Sequence, residues 1–194
     1  METTNILLAG VGGQGVLLAS QIFTSVAIQA DLDVKQSEVH GMSQRGGSVT
    51  SHVRFGDTVF SPTIDPGEAD FLIGFERLET LRNAHCLKPG GIIIYNTMRI
   101  NPSTVASGVA EYPDDVDDRI TSFADKVYAI DGLGLGQQAG NPRSANVVMV
   151  GAVSSFLSLP ETLWEKKIRE LLPPKLVDLN LKAFHLGREA VAGK

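Results

Sequence analysis

The sequence predicts an α/β fold, a Rossmann-like three-layer arrangement with a mostly parallel sheet and a helical C-terminal segment. Three observations predict it. The apolar run Asn5 to Ala9 ends in Gly10-Val11-Gly12-Gly13-Gln14-Gly15, and Val16 to Ala30 then continues without Gly or Pro, which reads as strand, turn and helix. Two further compact apolar runs, Phe71 to Phe75 and Ile92 to Tyr95, suit strands covered on both faces. From Leu176 onward the apolar residues recur at helical spacing.

The remaining elements follow in chain order. Val34 to Val39 reads as a second strand. Ser48 to Phe55 reads as a third, because Val49, Ser51, Val53 and Phe55 fall on one face. Residues 40–47 between them form a loop on the sheet edge that also carries the first glycine turn. Glu76 to Leu87 reads as a helix stopped by Lys88-Pro89-Gly90-Gly91, and Val127 to Ile130 as a short strand. Glu111 to Asp118 places five acidic residues in eight positions and reads as a solvated loop. Asn146 to Leu157 reads as a buried helix, although its β-branched residues leave a strand open. Pro160-Glu161-Thr162 opens a helix through Glu170, closed by Pro173-Pro174. In the last segment Leu176, Leu179, Ala183, Leu186 and Ala190 make one stripe and Val177, Leu181 and Phe184 a second. A helix apolar on two sides calls for cover on both, and we expect a hydrophobic subunit interface there. The expected organisation is one domain over residues 1–194, with 160–194 as its helical C-terminal segment.

Composition narrows the function. The 43% hydrophobic and 20% charged residues of this 194-residue chain are enough for one well-buried core. Its formal net charge of −5 provides no global positive field for nucleic acid or anionic lipid. One cysteine, Cys86, cannot form an internal disulfide or hold an iron–sulfur cluster by itself, and suits a reducing compartment. No run approaches the roughly 18 apolar residues of a membrane span, and no signal-peptide pattern opens the chain, so a cytoplasmic protein is expected.

The glycine turn contains G-x-G-x-x-G between a strand and a helix, the context of a dinucleotide-binding fingerprint. Two readings stand: backbone N–H groups and the helix end hold a pyrophosphate, or the glycines only make a tight turn and let helix and strand pack closely. Asp31 and Asp33 lie near the position of a ribose-binding acid, but Asp31 precedes its strand instead of ending it, so tightly held NAD is the poorer reading. In the second loop Arg45 is followed by Gly46-Gly47, which either faces an anion or partner carbonyl or is a solvated surface turn. Candidate ligand-binding residues are therefore Gly10, Gly12, Gly13, Gln14, Gly15, Arg45, Gly46 and Gly47. His40, His52, His85, His185 and Cys86 have no partner that spacing identifies. There is no G-x-S-x-G elbow, no P-loop lysine and no thiamine–magnesium motif, so no catalytic or metal-ligating residue is assigned.

The ordered set A-G-V-G-G-Q-G-V (9–16), S-E-V-H-G-M-S-Q-R-G-G-S-V (37–49), L-K-P-G-G (87–91) and A-N-V-V (145–148) resembles the gamma-type modules of 2-oxoacid:ferredoxin oxidoreductases. The resemblance spans nearly the whole chain, through P-P-K-L-V-D-L-N-L-K-A-F-H-L-G-R-E-A (173–190). His40-Gly41 and Ser43-Gln44 before R-G-G favour the branch of small (beta) subunits that serve indolepyruvate. The resemblance implies a large partner subunit bearing thiamine diphosphate, Mg and 4Fe-4S clusters, with CoA as co-substrate and ferredoxin as electron acceptor. It implies oxidative decarboxylation of an aryl 2-oxoacid to aryl-acetyl-CoA, CO2 and reduced ferredoxin, with this chain inactive alone. The alternative is a free-standing nucleotide- or CoA-binding regulatory protein of the same fold.

Overall fold

The computed structural model describes residues 2–40 and 46–193. A six-stranded sheet with order β2-β3-β1-β4-β5-β6 forms the middle layer. Its strands are β1 (Thr4–Val11), β2 (Asp33–His40), β3 (Ser48–Gly56), β4 (Ala69–Gly74), β5 (Leu87–Asn96) and β6 (Lys126–Ile130). β1, β4, β5 and β6 pair in parallel, while β3 runs antiparallel to both β1 and β2. The one reversed strand follows from chain length: the seven residues between β2 and β3 are too few for a crossover, so these strands pair as a hairpin.

β1 lies inside the sheet, and its pleat divides the core. Ile6 and Leu8 enter the larger cluster with helices α1 (Val16–Gln29), α6 (Ala145–Ser154), α7 (Glu161–Leu171) and α8 (Pro174–Val191). Leu7 and Ala9 enter the smaller one on the opposite face, with α2 (Arg77–Asn83) and α4 (Val116–Thr121). Two short helices, α3 (Ser103–Ala106) and α5 (Gly132–Ala139), complete the set among the described residues. The larger core is anchored by Trp164, whose ring meets Phe23 edge-on at 5.4 Å and stacks near Phe184 at 6.3 Å.

Residues 146–154 are buried all round, so the stretch with two possible readings is a helix, closed over by its neighbours. α6 and α8 cross backbone to backbone: a Cβ at Gly151 would lie 2.0 Å from the Phe184 carbonyl oxygen, and one at Gly187 2.0 Å from that of Val148. This crossing, with α5 and α7, covers α8 from within the chain. Val177, Leu181, Ala183, Phe184 and Val191 are buried, and Leu186 and Ala190 pack against the same core. Most of the two apolar stripes is thus covered within the chain, while Leu176 and Leu179 of the first stay half-buried at the surface.

Three other sequence expectations change. The helix read as Glu76 to Leu87 ends at Asn83, followed by a 3-10 turn over Ala84–Cys86. Lys88-Pro89-Gly90-Gly91 lies inside β5 as a bulge: Ala69 pairs with Leu87 but Phe71 with Ile92, and Gly90 has φ 77°. A bulge is where a strand tolerates proline and a left-handed glycine. The acidic stretch 111–118 is not simply solvated. Tyr112 and Val116 are buried, α4 begins at Val116, and Asp117 receives a bidentate pair from Arg77 at 2.9 and 2.6 Å. Finally, α5 carries three glycines in eight residues, a composition that hides a helix from propensity arguments. A Cβ at Gly136 would lie 3.0 Å from the Ala145 backbone nitrogen, so α5 trades propensity for close approach to α6.

Candidate functional site

The carboxyl ends of β1, β4, β5 and β6 open onto one edge of the sheet, where ligands bind in folds of this kind. The turn after β1 is built there from its own backbone and one side chain. Gln14 Oε1 accepts from Val11 N at 2.7 Å, and Gln14 Nε2 donates to the Phe75 carbonyl at 2.8 Å, joining the ends of β1 and β4. Gly10 is buried at the end of β1, where a Cβ would come within 2.9 Å of Phe75 Cβ. Gly12 N donates to the Gly47 carbonyl at 2.9 Å and Gly46 N to the Gly12 carbonyl at 3.3 Å. The two loops singled out in the sequence therefore meet, and the meeting uses Gly12, Gly46 and Gly47 as backbone partners of one another. Arg45 lies outside the described residues.

Gly13 and Gly15 differ from their neighbours. Both hold positive φ, 103° and 80°, and among the described residues nothing accepts from their N–H groups. Gly15 caps α1 with no side-chain hydrogen bond, so the first-turn donors of a 14-residue helix face the sheet edge. A Cβ at Gly15 would strike Asn146 Nδ2 at 2.3 Å, whereas one at Gly13 would meet nothing within 4 Å. Gly15 is required by packing as well as by its backbone, and Gly13 by its backbone alone.

The turn stands as a ridge between two clefts. The larger, about 670 Å³, is lined by Gly13, Gln14 and Gly15, by Phe75, Met98 and Leu133, and by Asn96, Asn146 and Arg143. Asn96 accepts from Gly132 N at 3.1 Å and Asn146 from Val147 N at 2.9 Å, so both amides are fixed by the adjoining helix starts. Arg143 is exposed, and its guanidinium has no ion-pair partner among the described residues. The smaller cleft, about 450 Å³, shares Gly13 and Gly15 but carries an exposed acid, Glu38, beside Val11, Leu17 and Val49. A cation lines one side of the ridge and an anion the other. Anionic groups are favoured on the Arg143 side.

Next to Phe75 of the larger cleft lies a buried acid. Glu76, 1% exposed, accepts from Glu79 N at 2.9 Å, Ile100 N at 3.1 Å and the Tyr112 hydroxyl at 2.8 Å. It thereby ties the segment after β5, which brings Met98 to the cleft, onto α2. Burial and the facing carboxylate push both tyrosines of this region up: Tyr112 by burial and Glu76, Tyr95 to about 12 by burial and Asp117. Each stays a neutral donor to its acid.

Asp31 and Asp33 stand at the far end of the sheet. Asp33 opens β2 opposite Gly56, pairs with Lys35 and accepts from Val59 N at 2.8 Å. Neither can reach a ligand at the glycine turn. Arg143 escaped sequence reasoning because it lies in the short turn Pro142–Ser144, about 130 residues from the glycines, without a motif of its own. The A-N-V-V segment that follows it was the available signal.

Residues 5–190 match the family model described as pyruvate ferredoxin/flavodoxin oxidoreductase. The chain is 41% identical to indolepyruvate oxidoreductase subunit IorB of Thermococcus kodakarensis, over 98% of this chain and 96% of the relative. It is 42% identical to the subunit of the same name in Pyrococcus horikoshii, with the same shares covered. Among solved structures it is similar to the gamma subunit of a keto/oxoacid ferredoxin oxidoreductase from Geobacter sulfurreducens, with TM-score 0.74, 24% identity, and 98% and 99% of the two chains covered. It is also similar to a 2-oxoglutarate:ferredoxin oxidoreductase from Magnetococcus marinus, with TM-score 0.77 and 20% identity; all of this chain matches 32% of that one. The chain belongs to the pyruvate ferredoxin/flavodoxin oxidoreductase family.

Proposed function

We propose that this family member is the small subunit of an indolepyruvate (aryl 2-oxoacid):ferredoxin oxidoreductase that is inactive without its large subunit. The observation that carries the reading is the full-length likeness to the two archaeal IorB subunits. In the proposed reaction the bond between carboxylate and carbonyl carbon breaks, CO2 leaves, and the acyl carbon forms a thioester with CoA. The two electrons released pass to ferredoxin. Thiamine diphosphate with Mg, if held by the partner, would stabilise the negative charge that decarboxylation leaves, and 4Fe-4S clusters there would carry the electrons. With a single cysteine, half-exposed Cys86, this chain lacks the thiolates such clusters need.

What remains for this chain is assembly and a share of CoA binding. The free donors of Gly13 and Gly15, the start of α1 and the Arg143 guanidinium line the larger cleft, and an anion of the size of a phosphate suits that donor set. Phe75, Met98 and Leu133 offer apolar wall to the remainder of the ligand. Gly12, Gly46 and Gly47 contribute by holding the ridge. Arg45 remains assigned to the same phosphates or to the partner subunit. A cytoplasmic location fits the cysteine usage, and no helix of the described residues is long and apolar enough to cross a membrane.

The test is reconstitution. Reduction of ferredoxin or a viologen dye is followed with indolepyruvate and CoA, using the large subunit, this chain, and both together. Turnover by the pair and silence of each chain alone is expected. Turnover by the 194-residue chain alone, or failure of the two to associate, overturns the reading.

A further inference from the structure

We propose that Glu161, Glu165 and His185 form a binding site for one divalent transition-metal ion, Zn2+ by its ligand chemistry, that ties α7 to α8. Glu161 and Glu165 are four residues apart on α7 and so share a face, and His185 projects to them from α8. Their donor atoms all lie within 4.8 Å of one another. His185 Nδ1 is 3.2 Å from Glu161 Oε1, and Nε2 is 3.2 Å from Glu165 Oε1. A neutral imidazole carries a single N–H, so one of these two contacts sets a nitrogen lone pair against a carboxylate lone pair. A cation on one ring nitrogen relieves that contact; since Glu161 and Glu165 face different ring nitrogens here, the imidazole turns to bring that nitrogen between them, and two carboxylates with one imidazole are a ligand set that Zn2+ takes readily.

The surroundings orient the donors as an outer shell does. Arg188 Nη2 contacts Glu161 Oε2 at 3.2 Å and leaves Oε1 directed at the histidine. Arg188 is itself fixed by Nη1 on the Ser154 hydroxyl at 2.9 Å. The imidazole lies edge-on to Phe184, with ring centres 5.5 Å apart, above the Trp164 core. With one arginine against two glutamates the cluster keeps a net negative charge when the histidine is neutral. Tetrahedral bonds of about 2.1 Å put donors about 3.4 Å apart. The three side chains are only partly buried, and can close the difference by rotamer adjustment. None of the three residues lines either cleft beside the glycine turn, so the site is independent of the role assigned to the larger cleft.

The experiment is calorimetric titration of Zn2+ into the tag-free full chain near neutral pH, with circular dichroism of each variant to confirm its fold. One ion per chain is expected for the wild type. His185→Ala and the isosteric Glu165→Gln are each expected to weaken it by at least about tenfold. His85→Ala, at an exposed histidine beside Cys86, is expected to leave it unchanged. Equal affinity in the wild type and Glu165→Gln overturns the proposal. So does a wild-type chain that takes up no Zn2+ and is instead stabilised through His185 by lowering the pH, because the cluster then holds only a proton.

Discussion

At the α6–α8 crossing a Cβ on Gly187 would lie 2.0 Å from the Val148 carbonyl oxygen, whereas in the turn after β1 a Cβ on Gly13 would meet nothing within 4 Å. The crossing uses glycine to bring two backbones together and leaves no room. The turn uses it to hold φ near 103° and keeps an N–H group open beside a cleft. One region contributes stability and no accessible chemistry. The other keeps open N–H groups and a helix start with no side-chain cap, an arrangement suited to an anionic ligand.

The same substitution in both places tests the contrast. Gly187→Ala ordinarily adds about 1 kcal/mol of helix stability, since alanine is the better helix former. Here the added methyl must push α8 off α6, and we expect a net loss on the order of 3 kcal/mol, the range of overpacked cores. For a chain of this length that lowers Tm by roughly 6–12 °C, read by thermal unfolding. Gly13→Ala is expected to cost only about 1–2 kcal/mol, from the disfavoured positive φ. An equal or larger loss at Gly13 breaks the comparison.

The difference between the regions also explains what could be read from the sequence. The glycine turn was legible because its strand, glycines and helix are contiguous, and so was the alternation that gives the sheet. The Gly151–Gly187 notch was not, since each glycine's partner is 33 or 39 residues away and nothing local distinguishes either from a weak helix position. The bulge in β5 was missed for a related reason. Pro89-Gly90 looks like a stop, and only pairing with β4 shows the strand continuing around it. In the site, Gly10 to Gly15 were found by pattern, but which N–H groups stay free depends on Gly47 and Gln14 hydrogen bonds that spacing cannot encode. Arg143 became visible only when the start of α6 was placed against the turn.

A smaller effect sharpens the contrast in the middle of β3. His52 is half-buried in β3, and its Nδ1 accepts from Ile64 N at 3.1 Å. Burial, with Arg54 nearby, holds its pKa below the ordinary histidine value. The folded chain therefore binds fewer protons here than the unfolded one. Stability from this contact is complete above about pH 6.5 and is lost as pH falls from there through the lowered folded pKa. His52→Gln is expected to flatten that part of the stability–pH curve, measured by denaturant unfolding from pH 7.5 to 5. The turn should be insensitive to it. An unchanged slope removes His52 as the source.

The most direct test of the proposed division of labour is the steady-state kinetics of Arg143→Ala in the reconstituted two-subunit enzyme. Loss of one charged hydrogen bond, about 1.5–3 kcal/mol, predicts a rise of about tenfold or more in the apparent KM for CoA. The KM for indolepyruvate and the Tm of the chain should stay at wild-type values. Unchanged KM for CoA, or an equal rise for both substrates, would contradict the assignment of the Arg143 cleft to the phosphates of CoA.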